Sequence, residues 1–248
     1  MKVIAIIPAA GFGTRMSPAE AGRKPRTAPG EAPPPKQFIE LGGVPILIRT
    51  LRKFAAVARI SEIFVALQKD DFPHLEKLLA EENLSKPVRL VVGGGHRQES
   101  VGNCLREVPE DADILVVHDA VRPFVEVAQI ERVLDEAIAR GAAILGIPVV
   151  DTVKQIEPEA GQRAIISGTI PRERIVLAQT PQAFQAALLK QAFAAAQTDD
   201  FFGSDEASLV ERLGHSVSVV LGSDRNLKIT KPADLELAEF LLTLEGRK

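Results

Sequence analysis

One cysteine in 248 residues excludes an internal disulfide. Cys104 lies in the apolar-periodic stretch 101–105 with no histidine or basic residue beside it, so it reads as core in a reduced compartment rather than as an activated nucleophile. Long apolar runs are missing too. The first one stops at Pro8, far short of the ~20 residues of a membrane span and without the flanks of a signal peptide. A basic surplus is also absent: 30 Lys and Arg against 33 Asp and Glu leave a net charge of −3. That balance excludes a general nucleic-acid or anionic-membrane binder and makes any phosphate recognition local. There is no internal repeat and no low-complexity tail. His74, His96 and His215 show no zinc-ligand spacing, and neither a Gly-x-Ser-x-Gly elbow nor a Ser/His/Asp order is present.

What is present is the pattern of one soluble α/β domain spanning 1–248, with 46% hydrophobic and 25% charged residues, values ordinary for a globular chain. Short, continuous, β-branched runs at 3–7, 63–67, 88–92, 114–117 and 143–147 suit parallel strands covered on both faces. Helical stripes alternate with them. In 129–140, Ile130, Val133, Leu134, Ala137 and Ile138 share a face opposite Glu131, Arg132, Asp135 and Glu136. Leu47, Leu51, Phe54, Ala55 and Ala58 form a second stripe, and Leu235, Ala238, Leu241 and Leu242 a third. The alternation predicts a Rossmann-like, doubly wound, mostly parallel sheet with right-handed crossovers. Two segments depart from it. Residues 17–35, rich in Pro, Ala and Gly and carrying Arg23, Lys24 and Arg26, have no hydrophobic period and read as a mobile loop. Residues 151–179 read as short β pieces, 152–156 and 164–166 about a polar turn at 158–162, and predict a projecting β-arm.

Ligands of an open parallel sheet bind beyond the carboxyl ends of its strands, so the loops after strands are where chemistry is sought. The first, Pro8-Ala-Ala-Gly-Phe-Gly-Thr-Arg15, offers small residues that let backbone N–H groups approach phosphates, with Arg15 and Lys36 to neutralise charge. Met16 stands where a dinucleotide fingerprint needs its third glycine, which opposes an NAD-dependent oxidoreductase, and the P-loop signature is absent. The second, Gly93-Gly-Gly-His-Arg97, leads into a helix predicted over 97–107; it suits a base or phosphate, or else a plain flexible turn. The third, His118-Asp-Ala-Val-Arg-Pro123, puts Asp119 just past a buried strand, where it either holds Mg²⁺ against phosphate oxygens or caps a helix. Lys228 follows a strand predicted over 216–221 and by itself is no more than a surface lysine.

Taken in order, eight motifs resemble one family across nearly the whole chain: Pro8-Ala-Ala-Gly-Phe-Gly-Thr-Arg-Met16, Pro35-Lys-Gln-Phe38, Gly94-Gly-His-Arg-Gln-Glu-Ser-Val101, His118-Asp-Ala-Val-Arg-Pro123, Asp151-Thr-Val-Lys154, Ala178-Gln-Thr-Pro-Gln-Ala-Phe184, Ser204-Asp-Glu-Ala-Ser208 and Asn226-Leu-Lys-Ile-Thr230. The family is that of the 2-C-methyl-D-erythritol 4-phosphate cytidylyltransferases. The resemblance implies a cytoplasmic enzyme that moves the CMP moiety of CTP onto methylerythritol phosphate and releases pyrophosphate, with Mg²⁺ as cofactor. It implies that Arg15 and Lys36 contact the triphosphate, and that Pro8, Ala9, Ala10, Gly11, Gly13, Gly94, Arg97, Ser100 and Ala120 surround CTP. It gives Asp119 to the metal and substrate, and Arg122, Thr152, Arg172 and Lys228 to methylerythritol phosphate. Thr152 and Arg172 would reach the neighbouring subunit's site through the β-arm of a homodimer. The length leaves no room for a fused cyclodiphosphate synthase domain. A sibling ribitol-5-phosphate cytidylyltransferase is disfavoured because Ile7-Pro-Ala-Ala-Gly11 stands where Leu-Ala-Gly-Gly is expected. The loop at 17–35 is longer and more proline-rich than the family leads one to expect.

Overall fold

The structure is a computed structural model that describes residues 1–11, 35–159 and 163–245. Gly13, Arg15 and the basic residues of the 17–35 segment therefore lie outside the described residues, as does the tip of the predicted arm turn.

In chain order, the elements begin with β1 (Val3–Pro8), a minimal hairpin of β2 (Glu40–Leu41) and β3 (Val44–Pro45), α1 (Ile46–Ala55) and β4 (Ile60–Leu67). Next come α2 (Phe72–Glu81), β5 (Val88–Val92), α3 (Arg97–Glu107), β6 (Ile114–Val117), α4 (Val127–Arg140) and β7 (Ala142–Pro148). The chain continues through β8 (Val153–Glu159), β9 (Arg163–Ile170), β10 (Val176–Gln185), α5 (Ala186–Thr198), α6 (Glu206–Arg212), β11 (Ser218–Leu221) and α7 (Pro232–Glu245). Seven strands form one sheet in the order β11-β7-β10-β6-β1-β4-β5, all parallel except β10, which runs antiparallel between β6 and β7.

The runs of β1, β4 and β6 are continuous because both faces are buried, whereas edge strand β5, read as covered on both faces, is buried only at Val91. Along β1, Val3, Ala5 and Ile7 pack with Leu47, Leu51 and Phe54 of α1 and with Ile130, Val133 and Leu134 of α4. Ile4 and Ile6 face the other way, toward Val101 and Cys104 of α3, Leu189 of α5 and Val210 of α6. Each fully buried Val, Leu, Ile or Phe among them contributes about 1.5–3 kcal/mol, so the strands whose ends carry the loops form a rigid floor. Burial pushes the Cys104 thiol up to about 12, which leaves it an unreactive core residue. No helix among the described residues is long and apolar enough to cross a membrane.

Several boundaries differ from the sequence reading: β4 starts at Ile60, β7 runs from Ala142 to Pro148 and β11 starts at Ser218. Helix α4 starts at Val127 because Glu126 and Gln129 form a reciprocal capping box. Helix α1 ends at Ala55, which leaves Ala58 outside the stripe. The larger difference concerns 151–179. The projecting hairpin is β8 paired with β9, from Val153 opposite Ile170, whereas residues 176–179 already belong to β10 in the central sheet.

Candidate active site

Strand order reverses at β1: β4 and β5 lie to one side of it and β6 to the other, which opens a crevice beyond the carboxyl ends of these strands. The loops there are stitched together by backbone bonds. Ala9 N–H donates to Ala66 O at 2.7 Å, and Gly93 N–H donates to Leu67 O at 2.7 Å. Gln68 Nε2 donates to Ala10 O at 2.8 Å. The loop after β5 is held by the helix it feeds: Gly94 N–H donates to Ser100 Oγ at 3.0 Å and Gly95 N–H to the Glu99 carboxylate at 2.7 Å. The resulting cleft, about 130 Å³ at its core, is lined by Pro8, Ala9, Ala10 and Gly11 from the first loop and Gly94, Gly95, Arg97 and Ser100 from the second. Asp119 and Ala120 from the third loop, together with Lys36 and Lys228, complete it.

Gly93 is where glycine is required by close approach, because a Cβ there would overlap the Cβ of Ala10 and lie 3.3 Å from the Leu67 carbonyl. Gly93→Ala should therefore push the first two loops apart. The expected result is a KM for nucleotide raised on the order of tenfold or more with the fold intact, checked by steady-state titration beside circular dichroism.

The third loop carries the electrostatic centre. Asp119, 6% exposed, receives Arg97 Nε on Oδ1 at 3.1 Å. Its Oδ2 receives Arg122 Nε at 3.3 Å and Lys228 Nζ at 2.9 Å. Burial alone would raise its pKa, but Arg97, Lys228 and Arg122 outweigh burial and hold the carboxyl well below the usual carboxylate range. Arg97 also places Nη1 between the two oxygens of Glu206, at 2.6 and 2.9 Å. Burial pushes the Glu206 carboxyl up despite that partner. Arg122 does not line the cleft. It lies behind Asp119 and gives Nη1 to Asn226 O at 2.7 Å, and its own pKa is lowered by burial.

Sequence reading thus named Asp119, Arg97, Arg122 and Lys228 separately, and the fold brings them into one cluster. It does not bring Thr152 or Arg172 to the cleft of their own chain; both are exposed at the base of the hairpin, with Arg172 Nη1 bonded to Val150 O at 2.6 Å. Asp119 is no helix cap, since its carboxylate is committed to cations. The sequence reading assigned no role to Glu206, Thr180, Gln182 or Asn226. Thr180 Oγ1 accepts the Asp119 backbone N–H at 3.0 Å, and buried Asn226 Nδ2 donates to Thr180 O at 2.8 Å, tying the Lys228 segment to β10. All four lie in motifs that carry the resemblance, 178–184, 204–208 and 226–230, but nothing in the sequence alone gave them a role.

A doubly wound α/β sheet whose switch-point cleft presents a glycine-rich backbone, paired lysines and a buried carboxylate defines a protein of the nucleotidyltransferase class. The model of the 2-C-methyl-D-erythritol 4-phosphate cytidylyltransferase (IspD) family matches residues 3–244, and the chain belongs to that family. A relative of that name from Acidobacterium capsulatum is 51% identical over 98% of both chains, and one from Solibacter usitatus is 47% identical over all of this chain and 98% of its own. Among solved structures, the 2-C-methyl-D-erythritol 4-phosphate cytidylyltransferase of Thermus thermophilus superposes with a TM-score of 0.73 at 35% identity, covering 98% of this chain and 100% of that one. The 4-diphosphocytidyl-2C-methyl-D-erythritol synthase of Anaerococcus prevotii gives 0.79 at 27% identity, covering 97% and 98%.

Proposed function

We propose that this chain transfers the CMP moiety of CTP to 2-C-methyl-D-erythritol 4-phosphate, forming 4-diphosphocytidyl-2-C-methyl-D-erythritol and pyrophosphate for isoprenoid precursor synthesis. The observation that carries this reading is the cleft itself, where Lys36, Lys228 and the Gly94–Gly95 backbone surround the space beside Asp119. A phosphate oxygen of the substrate attacks the α-phosphorus of CTP, the bond from that phosphorus to the β-phosphate bridging oxygen breaks, and pyrophosphate leaves with the bond electrons. No protein nucleophile is needed; the chain contributes position and positive charge. Lys36 faces the triphosphate, and Lys228 the methylerythritol phosphate. Arg15, outside the described residues, is read as a second cation on the triphosphate. Arg122 supports Asp119 from behind and is read as helping to fix the substrate phosphate.

Mg²⁺ is part of the proposal. Three donors occupy Asp119, and among the described residues no group of three His, Cys, Asp or Glu side chains could hold a metal alone. A carboxylate has about four acceptor positions, so Asp119 fits as a single protein ligand to a Mg²⁺ whose other partners are phosphate oxygens and water. Bound there, the ion would neutralise charge on the triphosphate. Metal affinity should therefore depend on nucleotide: Mn²⁺ titrated by electron paramagnetic resonance is expected to bind at least tenfold more tightly with CTP present, and equal binding without CTP counts against this arrangement.

The homodimer is likewise proposed. Ile156 and Ile166, paired across the hairpin on one face, are each more than half exposed, as is Ile165 on the opposite face; a second copy would cover such apolar surface while bringing Thr152 and Arg172 to its cleft. Buried, reduced Cys104 is consistent with a cytoplasmic enzyme. The deciding assay is pyrophosphate release with CTP and Mg²⁺, offering methylerythritol 4-phosphate and ribitol 5-phosphate separately. Release with the first alone supports the proposal, preference for the second makes the chain a ribitol-phosphate enzyme, and silence with both removes the enzymatic reading.

A further inference from the structure

Glu206 is a carboxylate placed where an apolar side chain would pack, on α6 among Ala207, Leu209 and Val210, and it is 1% exposed. Burying a charge there costs stability that a hydrophobic residue of similar size would not, so stability alone does not account for it. The chain also fixes the backbone on both sides of it. Gln182 of β10 donates Nε2 to the Asp205 carboxylate at 2.8 Å and accepts Ala207 N–H on Oε1 at 3.1 Å. Asp205 and Ser208 form a reciprocal capping box over the same turn.

All of this construction aims Glu206 at one nitrogen of Arg97. With Nη1 held by both Glu206 oxygens, the guanidinium presents only Nε to Asp119. Asp119 then has Oδ1 engaged once and Oδ2 engaged twice. Among the described residues, three of its roughly four acceptor positions are taken and one stays open, on Oδ1. An arginine freed from Glu206 would instead fork onto Asp119 with two nitrogens, the geometry that guanidinium and carboxylate favour, and close that position. Three positive and two negative side chains also leave the cluster at a net charge of +1; without Glu206 it would stand at +2.

We infer that Glu206 is a positioning residue for the transfer step: it restrains Arg97 so that one oxygen position of Asp119 remains available to the cleft. The inference rests on the cytidylyl-transfer reading above. Its test begins with the unaltered enzyme releasing pyrophosphate from CTP and methylerythritol 4-phosphate; if that fails, the reading fails before the inference is reached. Given an active enzyme, Glu206→Gln should lower kcat on the order of 10- to 100-fold while KM for CTP moves less than about threefold, the signature of displaced reacting groups rather than lost binding. In an Arg97→Lys background, where no fork can form, the same Glu206→Gln change should alter kcat less than about threefold, and this non-additivity is a readout that a merely structural role would not move. Glu206→Asp, which keeps the charge, should recover part of the rate and replaces the Gln variant should that fail to fold. A folded Glu206→Gln, or failing that Glu206→Asp, with wild-type kcat overturns the inference, as does an equal loss in both backgrounds.

Discussion

Asp119→Asn is expected to slow pyrophosphate release on the order of 10²–10³-fold, by analogy with removal of a single charge-stabilising group from other active sites. The exchange is isosteric, but among the described residues it removes the only negative charge shared by Arg97, Arg122 and Lys228. Breaking a buried ion pair from one side typically costs 3–5 kcal/mol, or on the order of 10 °C in Tm for a chain of this size, so the variant should remain folded with a lowered midpoint. Because Arg97 and Lys228 are left at the cleft with less compensation, added pyrophosphate should raise the Tm of the variant more than that of the wild type. Thermal melts with and without pyrophosphate, run beside the turnover assay, separate these effects. Turnover within threefold of wild type would remove Asp119 from the reacting centre.

That such an experiment can be aimed at all reflects how much of the site was legible in the chain. Helix α3 runs from Arg97 to Glu107 as its glycine start and apolar spacing required, and β1 and β6 are the apolar runs read from sequence. Strand-end loops carry ligands in this class of sheet, so Asp119 and the Gly94 backbone were findable from position alone. Strand β10 was not. Its centre, Gln179 to Gln182, breaks the apolar run with polar side chains, and sequence alone does not reveal that these are buried. They are buried because each has a partner: Gln179 bonds Ser223 and Asn226, Thr180 the Asp119 N–H, and Gln182 the start of α6. The same blindness hid Glu206, since charge suggests solvent until a guanidinium is seen opposite. What the sequence concealed was thus the polar scaffold behind the cleft, whose members find each other only through tertiary contacts between residues tens of positions apart.

That scaffold includes His118, and its titration gives the second large effect. The ring is fully buried, packed at 4.8 Å between centroids against Phe54, with Nε2 3.1 Å from Arg122 O. The neutral ring donates from Nε2 to that carbonyl, which leaves Nδ1 without a partner among the described residues. Protonation would place a charge in the core, and burial pushes the pKa down to about 4, opposed by the hydrogen bond to Arg122 O and by the Asp119 charge and aided by the charges of Arg122 and Arg97. The unfolded chain takes up its proton near 6.5 and the folded one only near 4, so between those values the unfolded state binds more protons and stability falls as pH falls. The expected loss is about 2–3 kcal/mol between pH 7 and 4.5, present in the wild type and missing from His118→Gln, in which a neutral donor faces Arg122 O. Glu206 titrates in the opposite sense, its raised pKa favouring the folded state as pH falls, so the quantity to compare is the difference between wild type and variant from urea unfolding at the two pH values. Parallel pH dependences would mean that His118 keeps an ordinary pKa. A gap that opens only below about pH 6.5 would tie the stability of the 119–122 turn, and with it the placement of Asp119, to keeping that ring neutral.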